Sequence, residues 1–289
     1  MDISKLYGVC TALVTPFRNG EVHWDMLKRL VARQLDSGVK ALVLSGTTGE
    51  APTLTDVEKR KLIEEVKKMT GDDCIILAGT GTNSTVQSIK LSIDAQSAGA
   101  DGLLVVSPYY NKGNPDGVYR HFKTIAESVE LPAFMYNVPS RTGYDVPVSV
   151  YKRLADIPNI IGVKEASSDI TKIGRIRNQC GNNFRIWSGN DDQVVPVISM
   201  GGVGVISVLS NLFPEETVDM VHAALSGDYE KASAIQCSFM PLIEALFSEV
   251  NPIPLKYAMK CIGYDCGDCR LPLGSLSISY KRKMKTLIK

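Results

Sequence analysis

A lysine at the end of a strongly apolar segment is the residue in this sequence with the clearest potential for chemistry. Lys164 directly follows the run IIGV at 160–163 and precedes Glu165. An ammonium group at the end of so apolar a strand would lose part of its hydration, and desolvation favours the neutral, nucleophilic amine. Such an amine can form a Schiff base with a carbonyl substrate. The alternative is a lysine that reaches solvent or pairs with a carboxylate, as most lysines do.

Three hydroxyl groups stand at comparable positions, directly after other apolar segments. Thr47, Tyr110 and Tyr136 could converge on one proton-transfer path, a role that tyrosine fills when its environment tunes it. Arg141 lies in a predicted loop, where its guanidinium suits a bidentate contact with a carboxylate. Ordinary packing of the tyrosines and solvent exposure of the arginine are the plain alternatives. Together these side chains indicate imine chemistry on a substrate that carries a carboxylate.

Metal and cofactor chemistry has weak support in the sequence. Its only three histidines are not paired with acids at the spacing of metal ligands, so a zinc enzyme is disfavoured. Cys261, Cys266 and Cys269 have a C-x4-C-x2-C spacing, but no fourth cysteine follows them. The glycines at 201–204 lack the third glycine of a dinucleotide-binding motif. We therefore expect neither a metal nor a cofactor.

Apolar strand-like segments that alternate with amphipathic helical ones must position these side chains. The helical patterns include residues 24–37 and 56–69, and several patterns end on a glycine: Gly38, Gly71, Gly99 and Gly181. The strand candidates, apolar on both faces, are residues 8–17, 41–46, 74–81, 102–108, 132–139, 160–167, 184–189 and 203–210.

Eight strand-then-helix units, recurring roughly every 20–35 residues, predict a (β/α)8 TIM barrel. An open, doubly wound sheet is the alternative for the same alternation. Because the carboxyl ends of barrel strands meet at one face, the polar residues at those ends would share a site. After Gly227 the strand signals stop. The sequence thus predicts a barrel domain over residues 1–227 and a small C-terminal helical domain over residues 228–289.

Composition excludes several classes of protein. The chain has 289 residues, a net charge of +1, 44% hydrophobic residues and 22% charged ones, which is ordinary for a globular protein. A charge so close to zero gives no field that would recruit nucleic acid or an anionic membrane. We find no apolar stretch of roughly 20 residues and no secretory leader. The 7 scattered cysteines are typical of a reducing compartment, so a cytoplasmic location is expected.

Three motifs in the sequence resemble those of a known superfamily. They are GTTGE at 46–50, YNVP at 136–139 and GVKE at 162–165. The chain resembles the pyruvate-dependent class I aldolases over essentially its whole length. Within that superfamily, the pair Tyr109-Tyr110 and the strings PSRTG at 139–143 and NPIPLK at 251–256 resemble the dihydrodipicolinate synthase family rather than the sialic-acid and sugar-acid aldolases.

The resemblance implies a reaction and assigns residues to it. Lys164 would condense with pyruvate, and the resulting enamine would attack L-aspartate 4-semialdehyde at the start of lysine and diaminopimelate biosynthesis. Tyr136, Thr47 and Tyr110 would relay protons, with Tyr110 reaching into the site of a neighbouring subunit in a homotetramer built as a dimer of dimers. Substrate contacts are implied for Thr48, Gly189 and Ile206 toward pyruvate and for Arg141 toward the semialdehyde carboxylate.

One region departs from the pattern of lysine-sensitive family members. The resemblance places an inhibitor pocket between subunits near Ala51, Asn83 and Tyr109, and the sensitive bacterial forms also carry histidine and glutamate there. Corresponding places in this chain hold Asp56, Lys59 and Gln87. An added ammonium group and a missing carboxylate would weaken capture of a cationic ligand. The sequence therefore predicts weak or absent inhibition by lysine.

Two other functions stay open at this point. A sister aldolase or dehydratase that acts on a sugar-derived 2-keto acid would not depend on Arg141 in the same way. A catalytically silent barrel could bind a keto acid and act as a regulator, although a degenerate relative would be expected to have lost part of its catalytic set. Here the lysine, both tyrosines and the threonine are all present.

Overall fold

Eight parallel strands form a closed barrel in the computed structural model, which describes residues 6–288. The described residues contain ten strands, and all except β2 and β3 belong to the barrel. In chain order they are β1 (Gly8–Ala12), β2 (Phe17–Arg18), β3 (Glu21–Val22), β4 (Ala41–Leu44), β5 (Ile75–Gly79), β6 (Gly102–Val106), β7 (Ala133–Asn137), β8 (Ile160–Glu165), β9 (Arg185–Ser188) and β10 (Gly204–Ser207). β1 pairs with both β4 and β10, which closes the sheet. The predicted TIM barrel is confirmed, and the open sheet is excluded.

Helices surround the barrel and continue beyond its last strand. They are α1 (Trp24–Asp36), α2 (Asp56–Thr70), α3 (Thr85–Ser97), α4 (Pro115–Ala126), α5 (Pro139–Thr142), α6 (Val148–Leu154), α7 (Ile170–Cys180), α8 (Val194–Ser199), α9 (Pro214–Leu225), α10 (Tyr229–Leu246), α11 (Ile253–Cys261) and α12 (Ile278–Leu287). The four glycines predicted to end helices all have positive φ. Among the described residues, no helix has both the length and the apolar character needed to span a membrane.

The first strand is shorter than the sequence pattern predicted. β1 ends at Ala12, and Phe17–Arg18 pairs instead with Glu21–Val22 in a separate two-stranded hairpin. Asn19 and Gly20 connect these strands with φ of 54° and 81°, as the common two-residue hairpin turn requires. The predicted strand 8–17 is therefore wrong beyond residue 12. The Asn-Gly pair at 19–20 is the sequence feature that indicates the hairpin.

The barrel strands are buried on both faces, as their apolar character predicted. Side chains inside the barrel form one core cluster that includes Phe134, Tyr136 and Trp187. A second, larger cluster fills the space between the strands and the helices. Because successive residues of a strand point to opposite faces, Lys164 on β8 reaches the barrel interior while Glu165 reaches the helical layer.

The C-terminal helices share the outer core with the barrel helices. α10 packs against α8 and α9, and α12 packs against α10 and α11. Residues of these helices, among them Leu246, Leu255 and Met284, belong to the same buried cluster as the outer face of the barrel. The helical character predicted after Gly227 is confirmed. The division into two domains at residue 228, in the short connection between α9 and α10, stays a prediction.

A buried histidine joins two of the barrel helices and makes stability depend on pH. His121 on α4 lies 2.9 Å from the Thr85 hydroxyl at the start of α3, measured from Nδ1 to Oγ1. Burial lowers the pKa of His121 from 6.5 to about 4. Between these values the unfolded chain binds a proton that the folded chain does not, so stability falls as the pH drops through this range.

We therefore expect His121 to cost the folded state about 3 kcal/mol between pH 6.5 and pH 4. Replacing His121 with asparagine, which keeps a polar group opposite Thr85, should remove this contribution. The free energy of unfolding in urea, compared between the two proteins at about pH 7 and about pH 4, measures it. An equal loss of stability in both proteins would contradict the assignment.

Candidate active site

A cavity of about 470 Å³ opens at the carboxyl ends of the barrel strands. Its walls contain six residues that the sequence analysis singled out: Thr47, Thr48, Tyr136, Arg141, Lys164 and Gly189. An adjoining cavity of about 250 Å³ shares Thr47, Tyr136 and Arg141 with it and adds Tyr109. The fold therefore brings most of the predicted residues to one site.

Lys164 is the buried cation of this cavity. Its side chain projects from β8, only 5% of the residue is exposed, and Nζ lies 4.5 Å from the centre of the Tyr136 ring. Tyr136 is the residue opposite Lys164 on the neighbouring strand β7, so the pairing of two strands sets this contact. Nζ thus lies over the face of the tyrosine ring in a cation–π arrangement. Both side chains line the same cavity, where a tyrosine hydroxyl can transfer protons.

A buried polar network behind β7 and β8 holds these two strand ends together. Glu165 accepts hydrogen bonds from Asn137 Nδ2 at 2.8 Å, from the Ser167 backbone N–H at 2.9 Å and from the Tyr151 hydroxyl at 3.0 Å. Burial raises the pKa of Tyr151 well above its ordinary value, so this hydroxyl stays protonated and can donate. Lys172 supplies the opposite charge, with Nζ 3.5 Å from Glu165 Oε2. The network fixes the residues next to Tyr136 and Lys164.

A second buried carboxylate, Asp191, ties β9 to the end of β10. It accepts hydrogen bonds from the Ser207 hydroxyl at 2.6 Å and from the backbone N–H groups of Val208 and Leu209 at 2.9 and 3.0 Å. Burial raises the pKa of Asp191, while the hydrogen bonds and the charge of Lys164 oppose that rise. Asp191 was not among the site residues predicted from the sequence, although it closely follows the strand candidate at 184–189.

The loop at 46–50 is anchored to the C-terminal segment by buried charges. Glu50, in a left-handed conformation with φ of 58°, forms an ion pair with Lys256 of α11 at 2.6 Å, and both side chains are almost fully buried. Glu50 Oε2 also accepts a hydrogen bond from the backbone N–H of Arg270 at 2.9 Å. Thr47 and Thr48 therefore stand on a loop whose far end is held by residues more than two hundred positions later.

Asn251 is a site residue that the sequence analysis named only as part of a string. It is 4% exposed and lies in the cavity wall. Its side-chain amide donates to Thr48 Oγ1 at 3.0 Å, and its backbone carbonyl accepts from Arg141 Nη2 at 3.2 Å. The only sequence signal was the string at 251–256, because both partners are distant in the chain.

Two predicted site residues do not line the cavity. Tyr110 is 90% exposed, with φ of 66°, on the outer surface of the chain. Ile206 on β10 is 1% exposed and belongs to the core inside the barrel. Within one chain, the predicted proton relay therefore does not extend from Thr47 and Tyr136 to Tyr110.

The residues expected to alter lysine binding lie together near the start of α2. Asp56 forms an ion pair with Lys90 at 2.7 Å and accepts a hydrogen bond from Gln87 at 3.3 Å. Burial lowers the pKa of Lys59, although the charge of Asp56 opposes that shift. The carboxylate at position 56 is thus already neutralised by groups of its own chain.

Neither a larger cavity away from the barrel mouth nor the cysteines add chemistry to this site. A cavity of about 930 Å³ between the β2–β3 hairpin and the C-terminal segment contains none of the predicted site residues, and three of its cations are paired: Lys256, Lys260 and Arg270. All seven cysteines are free, and Cys266 is buried while Cys261 is exposed. Within residues 6–288, no three side chains of metal-binding type come together.

Comparisons with known proteins match nearly the whole chain, and they all indicate the same family. A sequence model described as the Dihydrodipicolinate synthetase family matches residues 5–289. A 4-hydroxy-tetrahydrodipicolinate synthase of Kosmotoga olearia is 46% identical over 273 residues, 93% of this chain and 93% of that protein. A solved dihydrodipicolinate synthase variant described as monomeric has a TM-score of 0.97 at 40% identity, covering 99% of this chain and 97% of its own. The chloride-inhibited dihydrodipicolinate synthase from Acinetobacter baumannii, solved with pyruvate, has a TM-score of 0.96 at 37% identity, with 98% of each chain covered.

Proposed function

The chain belongs to the dihydrodipicolinate synthetase family, and from that premise we propose that it is a Schiff-base-forming lyase with 4-hydroxy-tetrahydrodipicolinate synthase activity. It condenses pyruvate with L-aspartate 4-semialdehyde in the first committed step of lysine and diaminopimelate biosynthesis. The observation that carries the proposal is the buried amine of Lys164, which faces the Tyr136 ring at 4.5 Å in a cavity that also contains Thr48 and Arg141.

The reaction begins at the lysine amine. Lys164 Nζ attacks the keto carbon of pyruvate, and water leaves as the imine forms. Loss of a proton from the methyl group gives the enamine, whose carbon attacks the aldehyde carbon of the second substrate. The amino group of that substrate then displaces Lys164 from the imine carbon, which closes the ring and frees the enzyme. Tyr136 and Thr47 move the protons that these steps require.

Both substrates carry a carboxylate, and the cavity offers a separate group for each. Thr48 stands on the loop that Glu50 anchors, where its hydroxyl and backbone N–H bind the pyruvate carboxylate. Arg141, at the outer edge of the same cavity, binds the carboxylate of the semialdehyde. On the pyruvate side, Gly189 leaves space next to the lysine. Ile206 does not line the cavity, so it can contribute only from the core inside the barrel.

A coupled assay tests the function directly. Purified protein is supplied with pyruvate and L-aspartate 4-semialdehyde, and a reductase that consumes NADPH reports the product. Sustained turnover supports the synthase. If turnover is absent, borohydride trapping and mass measurement decide what remains. A pyruvate adduct would indicate a sister aldolase with another acceptor, whereas no adduct would contradict catalysis through Lys164.

Arg141 distinguishes the synthase from a sugar-acid aldolase. Replacing it with alanine should lower kcat/KM for the semialdehyde about tenfold to a hundredfold, because one charge-assisted carboxylate contact is lost. Half-saturation of borohydride trapping by pyruvate should not change. Arg141→Lys serves as the control that keeps the charge without the planar fork, and its loss should be intermediate. Equal effects on both substrates would contradict the assignment.

Quaternary structure and location belong to the same proposal. The chain acts as a homotetramer in which Tyr110 completes the site of a neighbouring subunit, and the 90% exposure of Tyr110 in a single chain supports this role. The monomeric variant among the solved structures means that family membership does not fix the assembly.

A cytoplasmic location is supported by seven unpaired cysteines. Weak inhibition by lysine stays a prediction.

A further inference from the structure

Asn251 contacts both of the groups assigned to substrate carboxylates. Its side chain reaches Thr48 Oγ1 at 3.0 Å, and its backbone carbonyl lies 3.2 Å from Arg141 Nη2. Thr48 is separated from Asn251 by 203 positions in the chain, so the fold alone creates this arrangement. A residue placed in this way can set the geometry of two binding groups together.

The direction of the bond to Thr48 decides what that hydroxyl can do. A threonine hydroxyl has one hydrogen to donate and two lone pairs to accept with. The side-chain amide of Asn251 is the donor here, so the hydroxyl uses a lone pair and keeps its own hydrogen. Across residues 6–288 that hydrogen has no protein acceptor. It is therefore available to an anion in the cavity, and the bond from Asn251 strengthens its donation.

The oxygen of the same side-chain amide indicates that this orientation is energetically unfavourable for Asn251 itself. Asn251 Oδ1 is buried and has no hydrogen-bond partner among the described residues. An unpaired buried acceptor is unfavourable, and such exceptions in folded proteins need a specific reason. Turning the amide over would let Thr48 donate to Oδ1, but the threonine would then have no hydrogen left for a substrate.

Neighbouring contacts hold the Asn251 backbone in place. The N–H of Ile253 donates to the carbonyl of Val250 at 2.9 Å, and α11 follows directly. Lys256 of α11 is anchored by its ion pair with Glu50 at 2.6 Å, on the same loop that carries Thr48. The amide and the hydroxyl are therefore positioned by one connected structure, as accurate binding requires.

We propose that Asn251 is a positioning residue for the pyruvate carboxylate: its amide turns the Thr48 hydroxyl hydrogen toward the substrate, while its backbone carbonyl steadies Arg141. The inference rests on the proposed function, because it takes pyruvate as the ligand of Thr48. Through Asn251, the C-terminal segment takes part in pyruvate binding. Since every variant at position 251 retains the backbone carbonyl, side-chain changes should act on pyruvate much more than on the semialdehyde.

Two substitutions separate positioning from simple filling of space. Asn251→Ala removes the donor and should raise the half-saturating pyruvate concentration about tenfold, the value of one hydrogen bond. Asn251→Asp has almost the same shape but only accepts hydrogen bonds when ionised, so it would capture the Thr48 hydrogen and repel the substrate carboxylate. We expect a rise of about a hundredfold or more at about pH 8, and partial recovery toward about pH 5.5 as the new carboxyl group takes up a proton.

Borohydride trapping of the pyruvate imine at increasing pyruvate concentrations is the measurement. It needs no second substrate, and trapping at saturation reports the folded, competent fraction of each variant. The proposal is overturned if Asn251→Asp binds pyruvate as well as or better than Asn251→Ala, the order that a space-filling role predicts. It is also overturned if half-saturation does not change in either variant. Failure of the wild-type protein to form any imine would instead contradict the proposed function itself.

A double-mutant comparison checks that the effect passes through Thr48. In a Thr48→Val background the hydroxyl is already absent, so adding Asn251→Ala should raise the half-saturating pyruvate concentration by less than a factor of two to three. A further tenfold rise in that background would show that Asn251 acts independently of Thr48 and would overturn the positioning role.

Discussion

Exchange of Lys164 for arginine is expected to lower turnover by about 10⁴-fold or more while the protein stays folded. Arginine keeps a positive charge at the Tyr136 ring, which Lys164 Nζ approaches to 4.5 Å. Its guanidinium is always protonated, however, and cannot attack a carbonyl carbon. If Lys164 acted only as a fixed cation for an anionic substrate, arginine would replace it with a modest loss. If Lys164 forms the imine, the positive charge of arginine cannot replace its reactive amine.

The coupled assay measures this loss, and protein mass after borohydride treatment with pyruvate gives a second readout. The wild-type protein should gain the adduct and the Lys164→Arg variant should not. Lys67→Arg is a matched control, because Lys67 is partly buried in an ion pair with Asp101 at 2.9 Å outside the cavity. It should retain turnover. Recovery of more than about one hundredth of the wild-type rate in Lys164→Arg would contradict covalent catalysis.

The barrel and its lysine were predictable because the relevant patterns are local. Strands covered on both sides must be apolar throughout, so each barrel strand was visible in the sequence without knowledge of its partners. Lys164 interrupts one such segment, and a strand end in a barrel is where polar residues converge. The strand pairing then places Tyr136 opposite Lys164. The position of one lysine in an apolar strand was therefore enough to predict that Lys164 lies at the cavity.

Asn251 and Lys256 show what a local pattern cannot reveal. Their partners, Thr48 and Glu50, lie more than two hundred positions earlier in the chain. Neither an asparagine before a proline nor a lysine in a short helix indicates burial at a cavity, since both residue types are usually exposed. Only the three-dimensional packing of the C-terminal helices on the barrel brings Asn251 to the site and Lys256 to Glu50, on the loop that carries Thr48. The predicted role of Tyr110 depends on a further copy of the chain, so it has no counterpart within one chain.

The reason for a glycine at position 189 is also visible only in three dimensions. The resemblance placed it near pyruvate, and the structure places a Cβ built there 2.6 Å from the Cβ of Ala166, 3.0 Å from the carbonyl oxygen of Glu165 and 3.2 Å from Lys164 Cε. The absence of a side chain thus leaves room for the lysine chain and for the close approach of β8 and β9. This requirement is steric, because Gly189 does not have the left-handed conformation that favours glycine.

Replacing Gly189 with alanine should therefore lower kcat/KM by about a hundredfold, because the added methyl group must displace either the end of β8 or the lysine that it carries. The coupled assay gives the loss, and Gly274→Ala is the matched control, since a Cβ there meets no atom within 4 Å. Adding Ala166→Gly removes the shortest of the three contacts and should restore part of the activity. A Gly189→Ala protein as active as the control would mean that the lysine tolerates displacement. The close packing of β8 and β9 would then not determine its reactive position.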